Sequence, residues 1–236
     1  MTPAWWRMLR ALFKWRLREI LDAVIQTAIR NIDGPIGESL RVEYYRKLFK
    51  SIGENVRIET NVYIYGANYI SIGNNVHLGQ GVILLACEPD FDLSFRDLKE
   101  ITLPNAGIER GKLVIGDHIH IAQNCMIFAY GGVKLGNYCH LSTGTKLYSL
   151  NGLPWSPYDR SERGVSILPY SGRSPSVIGP VVLGENVWLG LNCAVFPGVI
   201  IERDCFARSN SIIASSIPEN SYISGDPGKR VDARYK

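Results

Sequence analysis

An aliphatic residue recurs at every sixth position through most of this chain, and this period constrains the fold more than any other feature. The repeat begins at Ile52, resumes at Ile115 and resumes again at Leu183. Four places after each aliphatic residue stands a compact one, such as Val, Cys, Thr or Ser. About fifteen hexads in one phase predict a parallel β-helix, in which three hexads form one triangular coil.

Two segments interrupt the repeat, at residues 86–112 and 151–180. Both are rich in Pro, Gly, Ser, Asp and aromatic residues. Loops of this length in a compact domain are commonly functional, so we expect two ordered excursions that cover a site. The repeat assigns residues 51–236 to the β-helix domain and leaves residues 1–50 as an N-terminal helical segment.

Residues 4–30 carry apolar side chains at helical spacing, with Gly34-Pro35 as the expected stop, and a second short helix is expected from Leu40 to Lys50. Residues 1–30 contain six basic and two acidic side chains, which gives 6 − 2 = +4, the net charge of the whole chain. The amphipathic helix could pack on the domain or a partner subunit, or lie at the cytoplasmic face of the membrane.

The remaining residues balance at 20 basic against 20 acidic side chains, which argues against nucleic-acid binding. The N-terminus lacks the apolar run and the cleavage site of a secretory signal, so we expect a cytoplasmic protein. Four of the five cysteines fall on the inward i+4 position and are predicted to be buried filler. They are Cys125, Cys139, Cys193 and Cys205, whereas Cys87 is off register.

The hexad register also predicts one column of outward side chains. Position i+5 points away from the core, and the first hexads of successive coils place Arg57, His77, His120, His140, Trp188 and Phe206 there. Strands in a sheet lie about 4.8 Å apart, so these side chains should stack. A neutral imidazole can accept a hydroxyl proton near pH 7, and neighbouring imidazoles should lower each other's pKa. His140 is our first candidate for a catalytic base and His120 the second, whereas His118 is expected in a turn.

Three motifs carry a resemblance to a known family. They are Val187-Trp188-Leu189-Gly190, Pro197-Gly198-Val199 and Ile217-Pro218-Glu219-Asn220 followed by Gly225 to Lys229. The chain resembles the left-handed β-helix hexapeptide-repeat acyltransferases, and within them the sugar O-acetyltransferases of bacterial polysaccharide and O-antigen clusters. The resemblance implies an all-β, left-handed parallel β-helix of about five coils. It also implies a homotrimer with acetyl-CoA between neighbouring prisms, and transfer of an acetyl group to a saccharide hydroxyl.

Position by position, the resemblance implies cofactor contacts at Trp188, Gly190, Leu191, Ser209, Asn210, Ser215, Lys229 and Arg230. The family's catalytic His is expected in the stretch that corresponds to residues 147–152, and that stretch contains no His here. We expect a backbone N–H or an amide such as Asn151 to stabilise the oxyanion, and Trp155 and Tyr158 to stack on the sugar. These residues are the candidate substrate contacts.

Two alternatives from other classes stay open. A zinc hydratase similar to the γ-type carbonic anhydrases could take ligands from His77, His118, His120 and His140, although the spacing of that family is absent. A catalytically silent β-helix scaffold would explain the missing loop His. The sequence leaves open the acceptor sugar, O- against N-acylation, and acetyl against a longer acyl group.

Overall fold

The computed structural model describes residues 20–21, 23–94, 96–152, 174–225 and 229–233. Residues 20–21 and 23–31 are helical, and a second helix spans Gly34–Arg46. The predicted bounds of that second helix were wrong, because Gly34-Pro35 begins the helix rather than ending the one before it. The Asp33 side chain accepts a hydrogen bond from the Gly34 backbone N–H at 2.8 Å, and proline is favoured in a first helical turn.

Arg41 joins both helices to the first coil. Its side chain is only 1% exposed. Nε donates to the Ile58 carbonyl oxygen at 2.8 Å, and Nη1 donates to the carbonyl oxygens of Ile29 and Ile32 at 2.7 and 2.6 Å. Carbonyl groups at a helix C-terminus lack partners within the helix, so this guanidinium satisfies them while fixing the helix against the prism.

The rest of the described chain forms a left-handed parallel β-helix with three flat faces, as the repeat and the resemblance predicted. Face 1 contains β1 (Ser51–Ile52), β4 (Ile70–Ile72), β8 (Leu113–Ile115), β11 (Val133–Leu135), β16 (Val181–Leu183) and β19 (Val199–Ile201). Face 2 contains β2 (Arg57–Ile58), β5 (His77–Leu78), β9 (His120–Ile121), β12 (His140–Leu141), β17 (Trp188–Leu189), β20 (Phe206–Ala207), β22 (Ser221–Ser224) and β23 (Lys229–Ala233). Face 3 contains β3 (Tyr63–Tyr65), β6 (Ile83–Leu85), β10 (Met126–Phe128), β13 (Lys146–Tyr148), β18 (Ala194–Val195) and β21 (Ile212–Ile213).

Faces 1 and 3 each have six strands, so the prism has six coils where the repeat predicted about five. The sixth coil is complete, although Ala207 occupies the inward position at which the earlier strands of face 2 have Ile or Leu. The core is a single column of inward aliphatic residues, and positions such as Ile121, Leu141 and Leu189 have no exposed surface. Burial of each such side chain contributes about 1.5–3 kcal/mol, so the core, rather than any one contact, holds the coils together.

Both excursions leave the prism at the corner between faces 3 and 1, because each follows a face 3 strand and precedes a face 1 strand. Their described parts form a separate three-stranded sheet of β7 (Arg96–Glu100), β14 (Leu150–Asn151) and β15 (Ser174–Ile178). Strand β15 pairs in parallel with β7, and a small apolar cluster of Leu93, Leu150 and Ile178 lies beneath. The two excursions are therefore ordered against each other where the structure describes them, and coverage of a site remains a prediction.

Apolar side chains are exposed on the first helical segment, where Ile20, Leu21 and Val24 are each more than half exposed. The described residues contain no helix with both the length and the apolar character needed to cross a bilayer.

Candidate active site

Face 2 carries the predicted column in the predicted register. Consecutive strands pair Arg57 with His77, His77 with His120, His120 with His140, His140 with Trp188, and Trp188 with Phe206. The column continues to Tyr222, which pairs with Phe206. Tyr222 could have been found from the sequence, because it stands five places after Ile217 and so occupies the same outward position.

The rings of this column are in contact along its length. His77 and His120 stack with centroids 4.9 Å apart and an interplanar angle of 13°. His120 and His140 meet edge to face at 4.8 Å, and His140 and Trp188 do so at 4.9 Å. His120 and His140, in the middle of the column, are each partly buried between neighbouring rings.

Each end of the histidine group is fixed by a hydrogen bond that sequence reasoning missed. The Nε2 atom of His77 lies 2.7 Å from Oε1 of Glu59, and Oε2 of Glu59 accepts from the Gln80 backbone N–H at 2.9 Å. The Trp188 indole Nε1–H donates to Oγ of Ser142 at 3.2 Å. Glu59 and Ser142 therefore orient the rings on either side of His120 and His140.

The pKa values of His120 and His140 are both lowered from the ordinary value of 6.5. Burial is the main cause in each case, because a desolvated imidazolium is disfavoured. The neighbouring imidazole is the second cause, His77 for His120 and His120 for His140. The direction agrees with the expectation from the sequence, although burial contributes more than ring-to-ring repulsion. Both imidazoles are therefore neutral near pH 7 and able to accept a proton.

The repeat is also recognised by comparison with known proteins. Residues 180–215 match a family model described as the hexapeptide repeat of succinyl-transferase. The chain is 28% identical over 188 residues to dTDP-4-amino-4,6-dideoxy-D-glucose acyltransferase of Escherichia coli, covering 80% of this chain and 84% of the relative. It is 30% identical over 132 residues to a probable macrolide acetyltransferase of Lysinibacillus sphaericus, covering 54% of this chain and 67% of the relative. The chain belongs to the hexapeptide-repeat acyltransferase family.

Another match is shorter but has a higher identity. The chain is 49% identical over 49 residues to the putative lipopolysaccharide biosynthesis O-acetyl transferase WbbJ of Escherichia coli K12, covering 21% of this chain and 25% of that protein. The fold is shared with AntD, an N-acyltransferase from Bacillus cereus, a variant of which was solved in complex with dTDP and coenzyme A. That structure superimposes with a TM-score of 0.61 at 23% identity, over 81% of this chain and 88% of AntD.

Four of the eight residues predicted to contact the cofactor lie at the corner between faces 2 and 3, and Trp188 lies in the face 2 strand that leads to it. Leu191 is half exposed there, and its backbone N–H donates to Oγ of Ser209 at 3.2 Å. Asn210 has a positive φ of 62° in the next coil. Gly190 is buried, and a Cβ at this position would lie 2.6 Å from the Ser209 backbone nitrogen, so close packing of the coils requires the glycine.

The other predicted cofactor residues lie elsewhere. Ser215 is exposed on the bend that follows β21 of face 3, so the single chain does not bring it to the corner of Leu191. Lys229 and Arg230 lie in β23, which pairs antiparallel with β22 at the end of face 2, and their side chains lie outside the described residues. A role for each of these residues remains a prediction.

The single chain does not bring Asn151 to His140, and a role for Asn151 at the oxyanion remains a prediction. Asn151 lies in β14, which pairs with β15 at the corner between faces 3 and 1. In a triangular prism that corner is opposite face 2, which carries the histidines. Asn151 and His140 can meet only across an interface between two copies of the chain. Trp155 and Tyr158 lie outside the described residues.

The described cysteines and histidines do not suggest other chemistry. All five cysteines are buried, and burial raises the pKa of Cys125 to about 11 and of Cys139 to about 12. Among the described residues, no group of three or more His, Cys, Asp or Glu side chains converges as metal ligands would. His77, His120 and His140 meet through their rings, a geometry that gives no support to the zinc hydratase alternative.

Proposed function

We propose that this chain is an acetyl-CoA-dependent O-acetyltransferase that modifies a saccharide hydroxyl in bacterial surface polysaccharide biosynthesis. The observation that carries the proposal is the contact of His140 with Trp188 in a family of acyltransferases. Trp188 is 44% exposed and belongs to the motif that the resemblance places at the coenzyme. His140 is half-buried and has a lowered pKa. A neutral base thus lies beside the expected thioester.

The reaction is a direct transfer. The His140 imidazole accepts the proton of the sugar hydroxyl as its oxygen attacks the thioester carbonyl carbon. A C–O bond forms and the C–S bond breaks, and the coenzyme A thiolate leaves and takes the proton from the imidazolium. The five cysteines are buried, and three of the four coil cysteines, Cys125, Cys139 and Cys193, have raised pKa values, so the transfer needs no covalent enzyme intermediate.

The proposed active assembly is a homotrimer. In such an assembly the corner that carries Asn151 on one prism approaches face 2 of its neighbour, so that Asn151 donates to the oxyanion beside another subunit's His140. Mixing His140→Ala and Asn151→Ala subunits tests this arrangement. Active sites that combine the two unmodified residues should restore part of the activity that each variant alone has lost. Mixed assemblies that remain as inactive as either variant would contradict the shared site.

We propose that the protein works at the cytoplasmic face of the membrane. The first helical segment exposes Ile20, Leu21, Val24 and Ile25 on its described part, and five cations stand in the first 18 residues. Apolar side chains next to cations bind the interface of an anionic bilayer. Such an enzyme would meet lipid-linked saccharides where they are assembled.

O-acylation and N-acylation are distinguished by the stability of the product. The protein is incubated with radiolabelled acetyl-CoA and either neutral hexoses or dTDP-4-amino-4,6-dideoxyglucose, and labelled products are treated with mild alkali. We expect label in the neutral sugars that alkali releases, because esters hydrolyse and amides do not. Alkali-stable label confined to the amino sugar would overturn O-acylation. A calorimetric titration without binding at millimolar acetyl-CoA would favour the scaffold alternative instead.

A further inference from the structure

The corner between faces 1 and 2 carries an aromatic ring at each of its two middle turns. Each coil turns there through a residue with positive φ, and at four of these turns the residue is Asn55, Asn75, Asn186 or Asp204. His118 and Tyr138 occupy the same position in the two middle coils, with φ values of 57° and 60°. Asn, Asp and His are enriched in this conformation, whereas it is uncommon for a bulky residue such as Tyr. The Tyr138 ring therefore stands at this turn at a steric cost.

The two rings form one flat surface that the chain does not bury. Their centroids are 4.9 Å apart and their planes differ by 8°, so they stack face to face. His118 is exposed and Tyr138 is 54% exposed. Since His118 covers one face of the Tyr138 ring, the other face and the hydroxyl edge remain open. An aromatic pair that contributes little to the core is a surface suited to binding.

The cleft next to Tyr138 has a volume of about 390 Å³ and is otherwise polar, being lined by Glu185, Asn186, Arg203 and Asp204. Asn186 Nδ2 donates to Oδ1 of Asp204 at 2.8 Å. Arg203 Nε donates to Oε2 of Glu219 at 2.9 Å, which offsets its charge. Glu185 is exposed and, in the described part of the chain, its carboxylate has no hydrogen-bond partner. The cleft thus offers acceptors and disfavours phosphates.

These features match a hexopyranose. The C–H bonds on one face of the sugar ring carry partial positive charge and pack on the negative face of an aromatic ring. The hydroxyl groups around the same ring are donors for carboxylates. A nucleotide would bring phosphates to the carboxylates of Glu185 and Asp204, which favours the neutral sugar over the nucleotide as the occupant.

The surface adjoins the proposed base. Tyr138 and His140 stand two residues apart in one hexad, and Asn186 and Trp188 do so in the next. Two residues of chain span at most about 7 Å, so each stacked ring lies beside a histidine of the column. Leu191 and Ser209, the residues predicted to contact the coenzyme, lie at the opposite edge of face 2. His140 therefore lies between the stacked rings at one edge of face 2 and the predicted coenzyme contacts at the other.

We propose that the stacked rings of His118 and Tyr138 form the platform on which one hexopyranose of the acceptor packs, with Glu185 accepting hydrogen bonds from its hydroxyl groups. The inference rests on the proposed function in taking the acceptor to be a saccharide. It adds the edge from which the acceptor reaches His140 and the class of sugar held there.

Replacing His118 or Tyr138 by asparagine, the residue found at most other turns of this corner, tests the platform without straining the backbone. Tyr138→Asn and His118→Asn remove the rings at positions where asparagine is tolerated, so both variants should fold at least as well as the parent. Tyr138→Phe keeps the ring and serves as the matched control. The probes are the methyl pyranosides of glucose, galactose, mannose and N-acetylglucosamine at tens of millimolar, observed by saturation-transfer NMR without coenzyme.

We expect at least one probe to bind the parent and Tyr138→Phe, and its signal to fall by about tenfold or more in Tyr138→Asn. Glu185→Gln should weaken the same probe. Absence of binding to the parent, or equal binding to Tyr138→Asn, would overturn the platform. A change of sedimentation in Tyr138→Asn with unchanged sugar binding would also overturn it and identify the rings as an interface between copies.

Sugar binding measured by NMR tests the platform separately from the proposed function, because binding requires no catalysis. His140→Ala should keep the probe signal while losing transfer. If that variant binds the sugar and the parent acetylates amines alone, the O-acetyltransferase proposal fails and the platform stands. If the parent acetylates hydroxyls but Tyr138→Asn has an unchanged acceptor KM, the platform fails and the proposed function stands.

Discussion

The imidazole of His140 lies against the indole of Trp188, with ring centroids 4.9 Å apart and an interplanar angle of 61°. The two residues belong to adjacent coils and are paired strand to strand, so their separation is set by the coil spacing. The indole is itself held by Ser142. An imidazole packed in this way has little freedom to turn within the column.

His140→Ala should lower acetyl transfer by about 10²-fold or more, because the hydroxyl would lose its proton acceptor. Lys134→Ala is the matched control, since Lys134 points outward from face 1 of the same coil. Steady-state kinetics with the best acceptor measure both variants, and sedimentation checks that each keeps the oligomeric state of the parent. Turnover close to that of the parent in His140→Ala would reject the assignment and direct attention to His120.

The lowered pKa values of His120 and His140 set the acid side of the pH profile. The base is active when neutral, so kcat/KM should fall with acid at a midpoint below the ordinary value of 6.5. Stability should fall on the same side, because the unfolded histidines bind protons at a higher pH than the folded ones. Denaturant unfolding between pH 5 and 8, roughly the range in which histidine titrates, measures this. A midpoint above 6.5 would argue against a buried imidazole base.

The cysteines should be inert in the folded protein. Burial raises the pKa of Cys125 to about 11 and of Cys139 to about 12, so neither forms a thiolate at neutral pH. We expect negligible labelling by a maleimide in buffer near pH 7 and complete labelling in denaturant, read by intact mass. Fast labelling of a coil cysteine without denaturant would show that the coils open locally.

Arg41→Met should destabilise the protein by about 3 kcal/mol, because it leaves one buried and two partly buried carbonyl groups without their donor. Arg46→Met in the same helix is the control, and we expect a change within about 0.5 kcal/mol, since Arg46 is exposed and its ion pair with Glu43 is long. Urea unfolding measures both. Equal effects would mean that the clamp contributes nothing specific.

The double substitution Leu21→Gln with Val24→Gln should weaken vesicle binding several-fold, because both apolar side chains are more than half exposed and available to a bilayer. Thr27→Gln on the same helix is the control. Flotation with vesicles of phosphatidylglycerol and phosphatidylethanolamine is the measurement. If the double variant floats as well as the parent, the segment packs on a protein partner rather than on lipid.

The column on face 2 could be predicted from the sequence because a period of six fixes both the face and the coil of every residue. The turn position of His118 follows from the same count, and its positive φ agrees with that expectation. The same period shows that Asn recurs at the turn position between faces 1 and 2. His118 and Tyr138 depart from this pattern, so they could also have been found from the sequence.

Other features could not be predicted from the period. Strand β15 pairs Ser174 with Arg96, residues far apart in sequence whose segments follow no repeat. The start of the second helix depends on the cap formed by Asp33 rather than on apolar spacing. The side of the prism on which Asn151 lies depends on the corner at which the excursion leaves the repeat. That corner is known only when each hexad has been assigned to a face.

Both long excursions leave from one corner, and this has a consequence for how such an enzyme can diversify. An inserted residue within a hexad would rotate every later side chain out of its column, whereas extra residues at the corner between faces 3 and 1 leave the count on face 2 unchanged. Homologues of this chain can therefore gain, lose or exchange whole loops there while the histidines, the tryptophan and the stacked turn rings keep their spacing.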